Sequence, residues 1–169
     1  MAGRLALLNF AASLLDVDPA RLVPDYRCPQ CGPRQDHGRP GSCSTPAPHL
    51  WRSARPGRRL GAAGAVVRPT DGLRLGVDLE SVDGGVGFPG FDDVALTSNE
   101  QRFLASVPES EQTRQRARLW ARKEAWLKMT GEGLRNNPPA ELEVLDLPGL
   151  RDITDAKLPD RLVAALALG

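Results

Sequence analysis

Residues 73–80 read Leu73-Arg74-Leu75-Gly76-Val77-Asp78-Leu79-Glu80, apolar residues alternating strictly with Arg, Gly, Asp and Glu. Successive side chains of a strand point to opposite faces, so the pattern predicts a β-strand with Leu73, Leu75, Val77 and Leu79 on a core. Arg74, Gly76, Asp78 and Glu80 then share the other face. Two carboxylates at i and i+2 project side by side, close enough to share one hard cation such as Mg2+ through oxygen ligands. Gly76 on that face would leave the backbone open to a bulky ligand. The same residues also describe an amphipathic strand with a solvated acidic face.

Upstream, residues 60–67 (LGAAGAVV) form a small apolar run bounded by Arg58-Arg59 and by Arg68-Pro69-Thr70-Asp71-Gly72. It predicts a buried strand that ends in a turn and pairs with 73–80 as an antiparallel hairpin. Residues 24–57 are dense in Pro, Gly, Arg and Cys without sustained periodicity, which predicts a mostly loop segment. Leu5, Leu8, Ala12 and Leu15 are spaced for a short amphipathic helix over 4–15, stopped by Asp16 to Pro19.

Downstream, Gly84 to Gly90 is a glycine-rich loop, and Thr97-Ser98-Asn99-Glu100 carries the hydroxyl and glutamate spacing of a capping box, so a helix begins there. The longest helical pattern runs from Glu111 to Met129 and stops at Thr130-Gly131-Glu132-Gly133, where glycine can close it in the left-handed conformation. Trp120, Glu124 and Lys128 fall on one face of this helix, with Lys123 and Leu127 beside them. An ordinary Glu-to-Lys surface pair would have the same spacing. Glu141 to Leu147 (ELEVLDL) alternates like a strand, and Arg161 to Leu168 suits helix or strand.

The chain has 169 residues, 22 basic against 21 acidic, and is 41% hydrophobic, enough for one modest core. No run approaches the roughly 18 apolar residues of a membrane span, and the N-terminus lacks a cleavage signature, so a cytoplasmic, unprocessed protein is expected. Three clustered cysteines, Cys28, Cys31 and Cys43, do not form a closed disulfide framework. Residues 1–70 carry ten Arg and four Asp, net +6, leaving 12 basic and 17 acidic residues, net −5, in 71–169. Of the basic residues only Lys123, Lys128 and Lys157 are lysine, the residue whose compact, tunable charge suits chemistry.

Gly76 to Glu80, Leu96 to Glu100, and Trp120 to Lys128 together resemble the three motifs of the 4′-phosphopantetheinyl transferase superfamily: G-[IV]-D-x-E, F/L-[ST]-x-x-E and W-x-x-K-E-A-x-x-K. Cys28-Pro29-Gln30-Cys31-Gly32 and His37-Gly38-Arg39-Pro40 resemble the C-P-x-C-G and H-G-[KR]-P segments of surfactin-type members. The histidine usual before the first strand is absent, Ala54 standing nearest its place. The resemblance implies an α+β fold, an antiparallel sheet of 60–67, 73–80 and 141–147 packed against a long helix. It also implies a pseudo-dimer with a reduced, coenzyme A-binding N-terminal half, 1–68, and a C-terminal half, 69–169, bearing the metal and KEA motifs.

By the same resemblance the chain moves the phosphopantetheine arm of coenzyme A to a serine of an acyl or peptidyl carrier protein, with Mg2+, releasing 3′,5′-ADP. Asp78, Glu80 and Glu124 would hold Mg2+; Lys123 and Lys128 would meet phosphates; Arg39 and Ser53 would contact coenzyme A. Glu124 is the preferred base, directly or through water, with Lys128 an alternative. A basic front half would steer an acidic carrier protein; neither nucleic acid nor membrane is expected as a partner. Two other readings stay open. One is a transferase-like protein that is degenerate or truncated, Met1 lying inside a longer reading frame. The other takes Cys28, Cys31, His37 and Cys43 as a zinc knuckle of a nucleic-acid-binding module.

Overall fold

The computed structural model describes residues 9, 12–13, 16, 18–21, 23–28, 32–33, 39–43, 50–53, 62–65, 74–131, 134, 137–154 and 158–169, between 21 and 65 as backbone alone. It comprises two units, Met1–Leu75 and Gly76–Gly169; the sequence reading draws the boundary at 68/69. In the first unit β1 (Val23–Cys28), β2 (Gly32–Pro33) and β3 (Arg39–Cys43) form an antiparallel sheet in the order β2-β1-β3, and β4 (Leu50–Ser53) pairs antiparallel with β5 (Ala62–Ala65).

Two expectations are corrected here. Residues 24–57, expected as mostly loop, contain four strands, because ladder hydrogen bonds need an extended backbone and short Pro- and Gly-bearing strands leave no apolar period to read. Among the described residues, Ala62–Ala65 pairs with Leu50–Ser53 in place of the expected hairpin with 73–80. Of the helix expected over 4–15, residues 9, 12 and 13 are helical and the rest lies outside the described residues.

The second unit is α+β. Its sheet takes the order β6 (Leu75–Ser81), β8 (Leu162–Leu168), β7 (Leu150–Asp152), with β7 and β8 antiparallel, Leu150 opposite Ala167. The ambiguous C-terminal segment is thus a strand, and it is the central one. Both faces of Leu162–Ala167 are largely buried, as a seven-residue run of Leu, Val and Ala permits. Its described helices include α1 (Phe91–Ala95), α2 (Ser98–Ser106) and α3 (Glu109–Thr130). None of the described helices is long and apolar enough to cross a membrane.

The capping box forms as read: Glu100 N–H donates to Thr97 Oγ1 at 3.2 Å and Thr97 N–H to Glu100 Oε2 at 2.9 Å. α3 begins with Glu109 and Glu111 in its first turn, carries Lys128 in its last, and ends at Gly131 (φ 75°), whose N–H returns to Leu127 O at 2.8 Å. α3 packs mainly on β8. Ala117, Leu119, Ala121, Ala125 and Met129 meet Val163, Ala165 and Ala167 in the core, and Arg116 fastens α1 by a two-pronged bond to Asp92, at 2.8 and 2.9 Å.

The alternation at 141–147 does not make a strand. Pro139–Glu141 is a 3-10 turn and the rest is irregular, so the third expected sheet strand is replaced by Leu150–Asp152. Side chains satisfy this backbone instead. Lys123 Nζ donates to Pro139 O (2.7 Å) and Leu142 O; Val144 N–H donates to Glu100 Oε1 (2.9 Å); Arg122 donates to Val144 O (2.8 Å) and Leu145 O (3.1 Å). An alternating pattern reports one buried face, and among the described residues this segment pairs with no strand.

Gly76 explains how closely α3 lies on β6. A Cβ at this position would stand 2.0 Å from Ala125 O and 2.6 Å from Met129 N, both backbone atoms unable to yield without the helix moving. The expected role as an opening for a ligand is corrected: the glycine admits a helix. Gly76→Ala is expected to destabilise the protein by about 1–3 kcal/mol, measured by urea unfolding; an unchanged midpoint would contradict the close approach.

Glu143 adds a pH-dependent component. Partial burial works against its ionised form, but hydrogen bonds from Thr97 Oγ1, the Leu145 N–H and Asn99, together with the Lys123 charge, outweigh this and hold its carboxyl below the ordinary range. A lowered native value means that the unfolded chain binds the proton first. The stability Glu143 contributes is therefore complete above the ordinary glutamate value, about 4.3, and is lost as pH falls through it towards the lowered native value. Glu143→Gln is expected to flatten the acid-side loss of stability in urea titrations between pH 7 and 3, and a slope equal to that of the unmodified protein would refute it.

Candidate functional site

Asp78 and Glu80 share the face of β6 on which Gly76 meets α3, and this covering helix buries them: Asp78 is 3% exposed and Glu80 5%. The solvated acidic face that the alternation allowed is not what the chain builds. A buried carboxylate needs compensation, and for Asp78 it comes from the last turn of α3. Lys128 Nζ pairs with Asp78 Oδ1 and, at 3.3 Å, with Glu124 Oε2 one turn back.

The structure thus brings Asp78, Glu124 and Lys128 together on two rigid elements. Lys128 is 27% and Glu124 12% exposed, so the cluster is neither sealed in the core nor washed by solvent. Trp120 continues the helix face, half-buried, and is contacted edge-on by Phe91 at 5.8 Å, which Phe88 meets in turn at 5.4 Å. Phe91 is buried and Phe88, at the end of the series, is exposed. Charges in a partly buried cluster interact more strongly than on an open surface.

Lys123 is placed elsewhere. Its ammonium pairs with Glu100 Oε2 at 2.7 Å, with both side chains at 0% exposure, and its remaining protons go to Pro139 O and Leu142 O. Burial pushes the amine below its ordinary range despite the opposing pull of Glu100 and Glu143. The expected phosphate contact at Lys123 is therefore corrected: three acceptors of the protein take its three protons. Sequence reasoning saw Glu100 only as a cap residue and missed it as this counter-ion. It also missed Arg122, which among the arginines of this helix carries no local signal that sets it apart.

Arg39 lies in β3 opposite Arg27, and Ser53 in β4 opposite Ala62. For the zinc-knuckle reading, the register pairs Cys43 with Val23 at one end of β1, whereas Cys28 is at the other end, opposite Gly32. Five strand steps, about 16 Å at ~3.3 Å each, are too far for a shared tetrahedral ion with Zn–S bonds of about 2.3 Å. Cys31 and His37 lie outside the described residues.

Among the described residues, no group of three or more His, Cys, Asp or Glu is arranged to hold a metal ion. The donors at this site nevertheless fit a hard cation in kind, being carboxylate oxygens from β6 and α3 that already converge on one positive charge. Chemically, the arrangement offers a carboxylate to accept a proton beside an ammonium that can neutralise an anionic oxygen.

Residues 74–161, which hold β6, α1, α2, α3 and the irregular segment, match the model of the 4′-phosphopantetheinyl transferase superfamily. The chain is also similar to the crystal structure of Thermotoga maritima holo-acyl-carrier-protein synthase, at 22% identity and a TM-score of 0.44, over 56% of this chain and 61% of that one. The chain thus aligns with less than two thirds of that protein's length. No curated protein matches the chain. The match spans more than half of the sequence and includes the strand and helix that carry Asp78, Glu124 and Lys128, and on that ground the chain belongs to the 4′-phosphopantetheinyl transferase superfamily.

Proposed function

We propose that this protein transfers the 4′-phosphopantetheine group of coenzyme A to a serine hydroxyl of an acyl or peptidyl carrier protein. The observation that supports this most is the convergence of the Asp78 and Glu124 carboxylates on the Lys128 ammonium, within the segment that matches the family. The C-P-x-C-G and H-G-R-P segments at 28–32 and 37–40 support a surfactin-type member.

In the proposed reaction the serine Oγ forms a bond to the pyrophosphate phosphorus that bears the pantetheine arm. The bond from that phosphorus to the bridging oxygen breaks, and 3′,5′-ADP leaves. Glu124 accepts the serine proton. Lys128 stands one helical turn away, where its ammonium would offset the negative charge that grows on the phosphate oxygens and the leaving group. Asp78, Glu80 and Glu124 would hold Mg2+, which when bound supplies further charge neutralisation on the pyrophosphate. Arg39, with a planar guanidinium suited to a phosphate dianion, and Ser53 would contact coenzyme A.

The test is intact-mass spectrometry of apo acyl and apo peptidyl carrier proteins incubated with the protein, coenzyme A and Mg2+. The expected result is a gain of one phosphopantetheine arm that EDTA abolishes; no gain from demonstrably folded protein would favour a degenerate member. Glu124→Gln is expected to slow transfer by about 10²–10⁴-fold, and Asp78→Asn, which keeps the buried shape, to slow it comparably. Rates equal to those of the unmodified protein would refute the site. Arg39→Ala should raise the KM for coenzyme A with little effect on kcat, and an unchanged KM would remove Arg39 from the binding set.

A further inference from the structure

Lys123 and Glu100 are wholly buried, next to the proposed site yet outside its chemistry. We propose that they form a positioning pair that fixes the roll of α3 about its axis and so holds Glu124 and Lys128 in register with Asp78. The inference rests on the transferase reading of that helix face.

The contacts are directional and complete. Lys123 Nζ spends its three protons on Glu100 Oε2, Pro139 O and Leu142 O; Glu100 Oε2 also accepts from Thr97 N–H, and Oε1 accepts from Val144 N–H. The α2 cap and the 139–144 segment are thereby pinned to a single point on α3. A buried ion pair is weak evidence for net stability, since apolar side chains of similar volume often serve as well. What apolar packing does not supply is a fixed bearing from several directions at once.

The leverage follows from helix geometry. Consecutive residues are about 100° apart around the axis, so Lys123 anchors one flank while Gly76 admits Ala125 and Met129 against β6 on another. Glu124 and Lys128 project between these restraints. A polar group about 6 Å from the axis moves by about 1 Å for a roll of about 10°, and a misplacement of that size can cost about 10²-fold in rate.

The double variant Glu100→Gln/Lys123→Met tests the pair, because it keeps both shapes and leaves neither charge buried alone. With the transfer assay, kcat is expected to fall by about 10–100-fold while the KM for coenzyme A stays unchanged. In parallel, acylation of Lys128 by an amine reagent, followed by peptide mass spectrometry, should quicken several-fold as the ammonium loses its fixed place between Asp78 and Glu124. A raised KM with unchanged kcat would mean that Lys123 meets coenzyme A and would overturn the proposal. So would unchanged kcat and KM in folded protein, which would reduce the pair to a stabilising contact. If the unmodified protein transfers nothing, the transferase reading fails by itself, and the labelling rate decides on positioning: an unchanged rate overturns it. Should the double variant fail to fold, Glu100→Asp, which keeps a carboxylate to balance the Lys123 charge but withdraws it by one methylene, is read in the same way.

Discussion

The C-terminal unit is organised around a lysine ammonium with no exposure to water. Burying the Lys123 charge is costly unless an opposite charge and enough acceptors surround it, and the chain provides both from parts of the sequence that are far apart. Glu100 comes from the start of α2, Pro139 and Leu142 from the segment after α3. Arg122 repeats the device one residue earlier, on Val144 O, Leu145 O and Asp152. Together they turn an irregular stretch of backbone into a fixed wall without giving it a strand to pair with.

The site depends on that wall and on a glycine. Because Gly76 lets α3 rest directly on β6, the carboxylates of Asp78 and Glu80 are covered, not solvated, and a positive charge is needed where the helix ends. Lys128 occupies that position, where it also favours the negative end of the helix dipole. The same close approach that buries the acids thus brings a third carboxylate, Glu124, and a cation, Lys128, to them on one rigid surface.

Much of this was legible in the sequence where local chemistry decides structure. The cap at Thr97, the stop at Gly131 and the helical face through Trp120, Glu124 and Lys128 follow from residue type and spacing alone, and the family motifs lie on these same elements. Alternation at 141–147 reported which side chains could be buried, but burial by a helix and burial by a sheet leave the same pattern; at 73–80 it marked one face for the core and gave no sign that the Asp78 face is buried too. The depth of Lys123 was likewise hidden, since a lysine next to Glu124 reads as a phosphate contact until Glu100 and two carbonyls are found around it. Strand pairing in the first unit left no trace in a sequence punctuated by proline and glycine.

The way in which residues 139–145 are held has a consequence for local motion. A strand in a sheet protects its amides through its neighbours and frays from its ends, whereas the Val144 amide is protected by a carboxylate from another element and its carbonyl by an arginine of α3. Opening this segment therefore requires separating α2 and α3 from it, a sub-global event. Hydrogen exchange at Val144 would accordingly follow the undocking of helices, making one backbone amide in an irregular stretch a reporter on the cohesion of the whole unit.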